Sequence, residues 1–523
     1  MYEYSMWECI MLVVLGLTGL GYILNFGIGA LLRGSDKQFK PKTEERPKAT
    51  RLRGLSHKHI NQQRNDVIVI GGGVSGLAVA AKLAKKGKKV VVLDKHPEKV
   101  GGGLHTFTLN GSSMTSFPTG LHYIGNIQKF KRTLSELTDG RSDSIKYTEM
   151  GLCKGDGIYD IIRIGDMSYY LRKGEHMFKF SLTSQFMKER QVIHDYVEAV
   201  KKSAWWSKWY YALKLLPKWM YDSRPVRLIR SIIDRKRHNN VTTETFLKRL
   251  RCSDRLLQVL SGQWGDYGVK PEESSFAMHA MVVNHYLNGG YVPEDSEAIS
   301  RALVATIHDY GGEVYYGAHV KRILVKDSGR VRGVCLYGMS KYIYAPEVVS
   351  TIGYNNTGDM LSRSCHSYQK LKTSTSMCNL FVETKVDRTG HPNIWYYPKG
   401  SDRQGPYFIS FHGTGVSILK PDSTSGEWRD SVEYQVYKQT MSDELLNVYR
   451  NQVGHKIVNM DAATPKTYCK YINGDGSVYG IYRGITGRAD IHPDEFGIRG
   501  LRIIGQDIIT MGISGALASI IYI

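Results

Sequence analysis

The stretch Asp66 to His96, DVIVIGGGVSGLAVAAKLAKKGKKVVVLDKH, leaves the chain few ways to fold. Val67 to Ile70 is a β-branched run of the kind that forms a parallel strand buried on both faces. Gly71, Gly73 and Gly76 follow at the G-x-G-x-x-G spacing: the first permits a tight turn, the second lets backbone approach a pyrophosphate, and the third lets helix pack closely on strand. Leu77, Ala78, Ala81 and Ala84 recur at helical spacing, with Lys82, Lys85 and Lys86 expected to face water. Gly87 stops the helix, Lys89 to Leu93 read as a second buried strand, and Asp94 ends it. An acid there can accept ribose hydroxyls while the helix N-terminus faces phosphate. Strand, turn, helix, strand and acid in register predict a dinucleotide site. The acid argues against a 2′-phosphate but does not separate NAD from FAD.

Further glycines at Gly101, Gly102 and Gly103 would let the chain run close to an extended cofactor. An acid, a short spacer and Gly-Gly look like the N-terminal signature of the FAD-binding amine oxidase and phytoene desaturase superfamily. Four later stretches narrow the likeness: FPTGLHYIG (Phe117 to Gly125), FAMHAMVVNHYLNGGYVP (Phe276 to Pro293), APEVVSTIG (Ala345 to Gly353) and GQDIITMGISGAL (Gly505 to Leu517). In this order they resemble the all-trans-retinol 13,14-reductase (retinol saturase) family, relatives of bacterial-type phytoene desaturases and plant carotenoid isomerases. The resemblance spans about residues 65 to 523.

It implies an α/β fold: a Rossmann-like FAD-binding domain interleaved with a mixed α+β substrate domain, preceded by one N-terminal membrane helix. The expected division is a membrane anchor (1–33), a basic linker (34–64), FAD-binding segments (65–125, 301–358 and 496–523) and substrate-domain segments (126–300 and 359–495). The cofactor residues it implies are Gly71, Gly73, Gly76, Asp94, Lys95, Gly101 and Gly102, then Val320 at the adenine, and finally Gly505, Asp507 and Gly512, whose carboxylate and helix start would serve the ribityl and pyrophosphate side. The chain stops at Ile523, early for the last helix of such a fold.

Seven scattered cysteines with no C-x-x-C argue against a disulfide framework or zinc site, and none lies near the C-terminal motif, so the FAD is expected to be non-covalent. With a single dinucleotide fingerprint, NAD(P)H as electron donor would have to visit the flavin, or electrons come from a partner. Adding two hydrogens to an isolated alkene needs a hydride and a proton. His122 and Tyr123, then His279, His285 and Tyr286, are the proton-donor candidates, and no catalytic residue is assigned.

Cys9 to Leu32 are 24 consecutive uncharged residues, enough for a helix to span a bilayer core of ~30 Å. Glu3 and Glu8 in front of it favour an uncleaved anchor over a signal peptide. The ten Lys/Arg against three acids from Arg33 to Arg64 predict a cytoplasmic flank, while sequons at Asn110, Asn240 and Asn355 point the other way. The family resemblance implies a location in the endoplasmic-reticulum membrane. A net charge of +21 raises nucleic acid as a partner, but no recognition motif supports it, and an anionic membrane surface accounts for the charge more simply. Lys201 to Arg237 combine eleven Lys/Arg with seven Trp and Tyr: either a membrane-contacting surface or a helical layer with its own aromatic core.

The expected activity is therefore an FAD-dependent saturation of a double bond in all-trans-retinol or a related isoprenoid. Pro118 stands where the family carries an acid, Glu294-Asp295 where it carries Gly-Gly, and the stretch from His412 to Tyr434 is shortened. These departures keep two alternatives open: a carotenoid or polyene desaturase or isomerase, and a flavin- or lipid-binding homologue without turnover.

Overall fold

A computed structural model describes residues 50–51 and 64–523, apart from 112–114, 121–122, 339–341, 362–367, 401–404, 423–430, 472–473, 475 and 487–489. The expected membrane helix Cys9 to Leu32 and the candidate His122 lie outside the described residues. Among the described residues, no helix is long and apolar enough to cross a membrane.

The β-branched runs form one six-stranded, fully parallel sheet, in the order Thr50–Arg51, Glu313–Tyr316, Val90–Leu93, Val67–Ile70, Glu347–Ser350, Leu501–Ile503. Val67–Ile70 and Val90–Leu93 are buried at every position, as strands covered on both faces must be. The sheet thus draws its strands from widely separated parts of the sequence, and their carboxyl ends share one edge.

The helix Val74–Lys85 lies against this sheet and is buried from Ser75 to Ala84. The expectation that Lys82 faces water is corrected: it is 5% exposed, and its Nζ donates to the Ile520 carbonyl at 3.0 Å. The C-terminal segment covers that face, and burial lowers the Lys82 pKa to about 8.

The segment Val320 to Tyr344 stands outside this sheet. Only the flanking strands Glu313–Tyr316 and Glu347–Ser350 join the parallel sheet. Val320–Val325, Val331–Leu336 and Tyr342–Tyr344 form a separate three-stranded antiparallel sheet, with its first turn at Lys326 to Arg330. Val320–Val325 wets one face, whereas parallel strands need two covered faces.

Opposite lies a seven-stranded mixed sheet: Ile457–Ala463, Ser376–Thr384, Gly415–Asp422, Tyr407–His412, Asn393–Tyr397, Ile158–Ile164, Met167–Arg172. Helices between 175 and 286 pack on its far end around Tyr159, Tyr196, Phe246 and Phe276. In the basic aromatic stretch, Tyr210 and Tyr221 are buried with Trp206 and Trp209 packed on them, while Trp205 and Trp219 are 49% and 75% exposed. Both readings of that stretch thus describe part of it. Of the sequons, Asn355 is buried.

Candidate active site

A cavity of about 700 Å³ opens where the carboxyl ends of the parallel strands meet the mixed sheet. Every predicted cofactor residue except Gly76 lies on its wall.

The three fingerprint glycines are required for three different reasons. Gly71 has φ +100°, and a side chain there would strike Thr351 Oγ1 at 2.8 Å. Gly76 lies beneath the turn, where a Cβ would come within 1.9 Å of the Gly71 carbonyl oxygen. Gly73 faces open space: nothing lies within 4 Å of its would-be Cβ. The vacant side is the cavity, beside the first-turn N–H groups of Val74 and Ser75, which have no acceptor within their helix. Gly102 completes this surface, because a Cβ there would press on Gly73 Cα at 3.1 Å.

Asp94 closes the turn. Its Oδ2 accepts the Gly72 N–H at 2.6 Å and its Oδ1 the His96 N–H at 2.7 Å, while the carboxylate still faces the cavity. Beyond it, Val320 is a buried strand residue whose side contributes to the wall, and Lys95 is exposed at the rim. His105, which the sequence reading did not single out, is buried on the same wall with Nε2 unpartnered. Burial, together with His96 and Lys99, lowers its pKa to about 4, so the ring is neutral.

Asp507, expected to serve ribityl hydroxyls, lies on the cavity wall and also holds backbone. It is 4% exposed; Oδ2 accepts the Tyr354 N–H at 2.8 Å and Oδ1 the Ile481 N–H at 3.0 Å. It ties three chain segments together at the wall. Gly353 and Gly480 are required beside it, since a Cβ on the latter would lie 2.1 Å from Oδ1. Arg483 fixes the same loop, donating to the carbonyls of Gln506 at 2.8 Å and Asp507 at 2.9 Å. Gly505 and Gly512 carry positive φ on this side of the cavity. Among the described residues, no cysteine lines the cavity.

The far wall belongs to the mixed sheet. Tyr123 Oη donates to Asn393 Oδ1 at 3.0 Å and shares a hydrogen bond with Ser410 Oγ, which lies 3.0 Å from His412 Nε2. Asn393 Nδ2 in turn donates to Asp160 Oδ1 at 2.8 Å, and Gln263 Nε2 and Trp395 Nε1 donate to Oδ2 at 2.6 and 2.9 Å. Burial pushes the Asp160 pKa up to about 6, while the three donors oppose the rise. Asp266 projects from the turn Trp264–Asp266 onto the same wall.

The other proton-donor candidates separate clearly. Tyr123 faces the cavity, and Tyr286 lines a small void adjoining it. His279 is buried between Tyr196 Oη at 2.8 Å and Tyr267 Oη at 3.2 Å, and His285 Nε2 accepts the Gly125 N–H at 2.8 Å. Neither histidine reaches the cavity. Asp160 and Asp266 escaped the sequence reading, although each left a trace: Asp160 is the acid inside the apolar run Ile158 to Ile162, and Asp266 is the lone charge between Arg255 and Lys270.

Of the departures from the family pattern, Pro118 and Glu294-Asp295 lie off the cavity wall, whereas the shortened stretch from His412 to Tyr434 supplies Leu419 and Pro421 to it. Pro118 pairs with Thr106 in a short hairpin, Glu294 accepts a hydrogen bond from Thr148 Oγ1 at 3.2 Å, and Asp295 accepts the Ala298 N–H at 3.2 Å.

A doubly wound sheet with a glycine turn at its carboxyl edge, facing a mixed sheet across a deep cavity, defines a Rossmann-like oxidoreductase fold. Residues 69–137 match the NAD(P)-binding Rossmann-like domain family. The fold is shared with an oxidoreductase from Methanosarcina mazei (TM-score 0.56, 14% identity, 87% of this chain and 99% of that one). In sequence, the chain is 28% identical to the all-trans-retinol 13,14-reductase of Rattus norvegicus, covering 87% of this chain and 84% of the relative. It is 24% identical to the chloroplastic prolycopene isomerase of Daucus carota, covering 79% and 71%. The chain is thus similar over most of its length to the all-trans-retinol 13,14-reductases and, at lower identity, to a prolycopene isomerase.

Proposed function

We propose that the protein is a flavin-dependent oxidoreductase that saturates a double bond of all-trans-retinol or a related isoprenoid, with non-covalent FAD as cofactor. The observation that carries this reading is the single cavity uniting the fingerprint turn, the C-terminal loop at Gly505 to Gly512 and the aromatic wall of the mixed sheet. The donor set fits FAD: unpaired helix N–H groups at Val74 and Ser75 for pyrophosphate, Asp94 for ribose, a Cβ-free face at Gly73, and the unpartnered His105 Nε2. Bound flavin supplies hydride chemistry.

This chain's own residues orient and enclose. Trp395, Phe408, Leu419 and Met377 give the cavity an apolar wall suited to a polyene. Tyr123, held by Asn393 and Ser410, offers an oriented hydroxyl there. NAD(P)H or a partner protein would supply the electrons.

The membrane reading belongs to the same proposal. The Cys9 to Leu32 segment would anchor the chain in the endoplasmic-reticulum membrane, and the exposed Trp205, Trp219, Leu228 and Ile232, interspersed with Lys and Arg, suit an anionic lipid surface.

The test is to purify the full chain in detergent, record its flavin spectrum, and incubate it anaerobically with a reductant and all-trans-retinol. A dihydro product, two mass units heavier, is expected. A product changed only in geometry would favour the isomerase reading that the carrot relative suggests, and a protein that takes up no flavin overturns the proposal.

A further inference from the structure

Two carboxyls meet at the small void beside the cavity, in opposite settings, and of the two Asp266 also lines the cavity itself. Asp160 is 4% exposed and saturated by three neutral donors, Asn393, Gln263 and Trp395, an arrangement that stabilises a carboxylate. Asp266 receives no hydrogen bond at its carboxyl among the described residues. Its partial exposure is to the cavity, whose wall it forms beside Gly265 and Tyr123, and also to the small void it shares with Asp160, Tyr159 and Tyr286.

We infer that Asp266 is the proton donor of the reaction, a carboxylic acid kept neutral beside the ionised Asp160 and aimed into the substrate end of the cavity. This rests on the reductase reading above. Paired carboxyls whose surroundings drive them to opposite protonation states are how proteins assign acid roles at neutral pH. The titratable groups around Asp266 are the Asp160 carboxylate and the hydroxyls of Tyr123, Tyr159, Tyr267, Tyr286, Tyr397 and Tyr479. No cation is among them, and burial followed by Asp160 holds the Asp266 carboxyl well above the usual carboxylate range. The tyrosines, themselves pushed upward by burial, are the poorer acids.

The step balances. One alkene carbon accepts hydride from reduced flavin and forms a C–H bond; the other takes the proton from Asp266 as the O–H bond breaks. The alkene gains two electrons, the flavin loses two, and the carboxylate regains its proton from water.

The test uses the full-length flavoprotein. An infrared difference spectrum between wild type and Asp266→Asn should show a protonated-carboxyl band in wild type at neutral pH, shifted in D2O; absence of that band overturns the proposal. The Asp266→Asn protein should bind and release flavin as wild type does and be reduced equally by dithionite. Its reoxidation by all-trans-retinol should be slower by about a hundredfold or more, the range for loss of a general acid. Tyr123→Phe should keep the greater part of the wild-type rate. Wild-type reoxidation with an unimpaired Asp266→Asn protein overturns the acid alone, as does a Tyr123→Phe loss without an Asp266→Asn loss. A wild type that no polyene reoxidises, despite bound and reducible flavin, overturns the reductase reading and this role with it.

Discussion

The carboxylate of Asp94 accepts the backbone N–H of Gly72 at 2.6 Å, so the acid that ends the second strand also clamps the glycine turn that follows the first. A second N–H, that of His96, binds the other oxygen at 2.7 Å. Asp94→Ala should cost about 2 kcal/mol of stability, because hydrogen bonds to charged acceptors are lost together. Flavin affinity should fall with it. Asp94→Asn keeps the shape but leaves one of the two N–H groups facing an NH2, so it should fall between. Thermal melts with and without added FAD check both effects.

Gly73 and Gly76 should respond oppositely to alanine. Gly76→Ala forces a methyl to within 1.9 Å of the Gly71 carbonyl oxygen and should destabilise the chain by about 3 kcal/mol. Gly73→Ala meets nothing within 4 Å and sits at φ −74°, so stability should change by less than about 1 kcal/mol. Its methyl enters the cavity, however, and flavin binding should weaken. Fluorescence titration beside a denaturation curve separates the two.

Much of this turn was legible because it is local: strand, glycines, helix and acid lie within thirty-one residues of one another. What was missed depends on distant partners. Lys82 was assigned to water because its own helix gives no hint that Ile520 covers it. Nothing local to Asp507 indicates that its oxygens accept the N–H groups of Tyr354 and Ile481. Asp160 and Asp266 are 106 residues apart and meet because a strand and a tight turn flank one small void beside the cavity, which no spacing rule encodes.

Buried neutral histidines should make the protein acid-sensitive. Burial lowers the pKa of His105, His285 and His412 to about 4 and that of His279 to about 3. Below the ordinary value of 6.5, the unfolded chain takes up protons that the folded chain refuses, so stability should drop as pH falls from 6.5 toward 4. His279→Phe should be less stable at neutral pH, because Tyr196 and Tyr267 lose a partner, yet show a shallower acid slope. Urea midpoints across that window test the sign.

Asp266 should have the reverse linkage. Its folded pKa is raised, so above the ordinary 3.8 the unfolded state ionises and gains on the folded one. Asp266→Asn should therefore melt higher than wild type at about pH 7 and equally at about pH 3. A wild type that melts higher at neutral pH contradicts the protonated state.

Trp205 and Trp219 should mediate lipid contact without supporting the fold. Replacing both with serine should leave the melting temperature within about 2 °C and reduce co-sedimentation with anionic vesicles several-fold, an effect that high salt should accentuate. Unchanged sedimentation assigns the exposed indoles no such part.

The strand Leu501–Ile503 pairs with Glu347–Ser350, which pairs with Val67–Ile70, and the loop that follows it forms one wall of the cavity. A ribosome must therefore translate through the Gly505 to Gly512 loop before the nucleotide pocket can close, even though its opening turn was made more than four hundred residues earlier. During that interval the edge of Glu347–Ser350 that Leu501–Ile503 will cover stays unpaired on the nascent polypeptide, an open strand edge of the kind that invites misassociation.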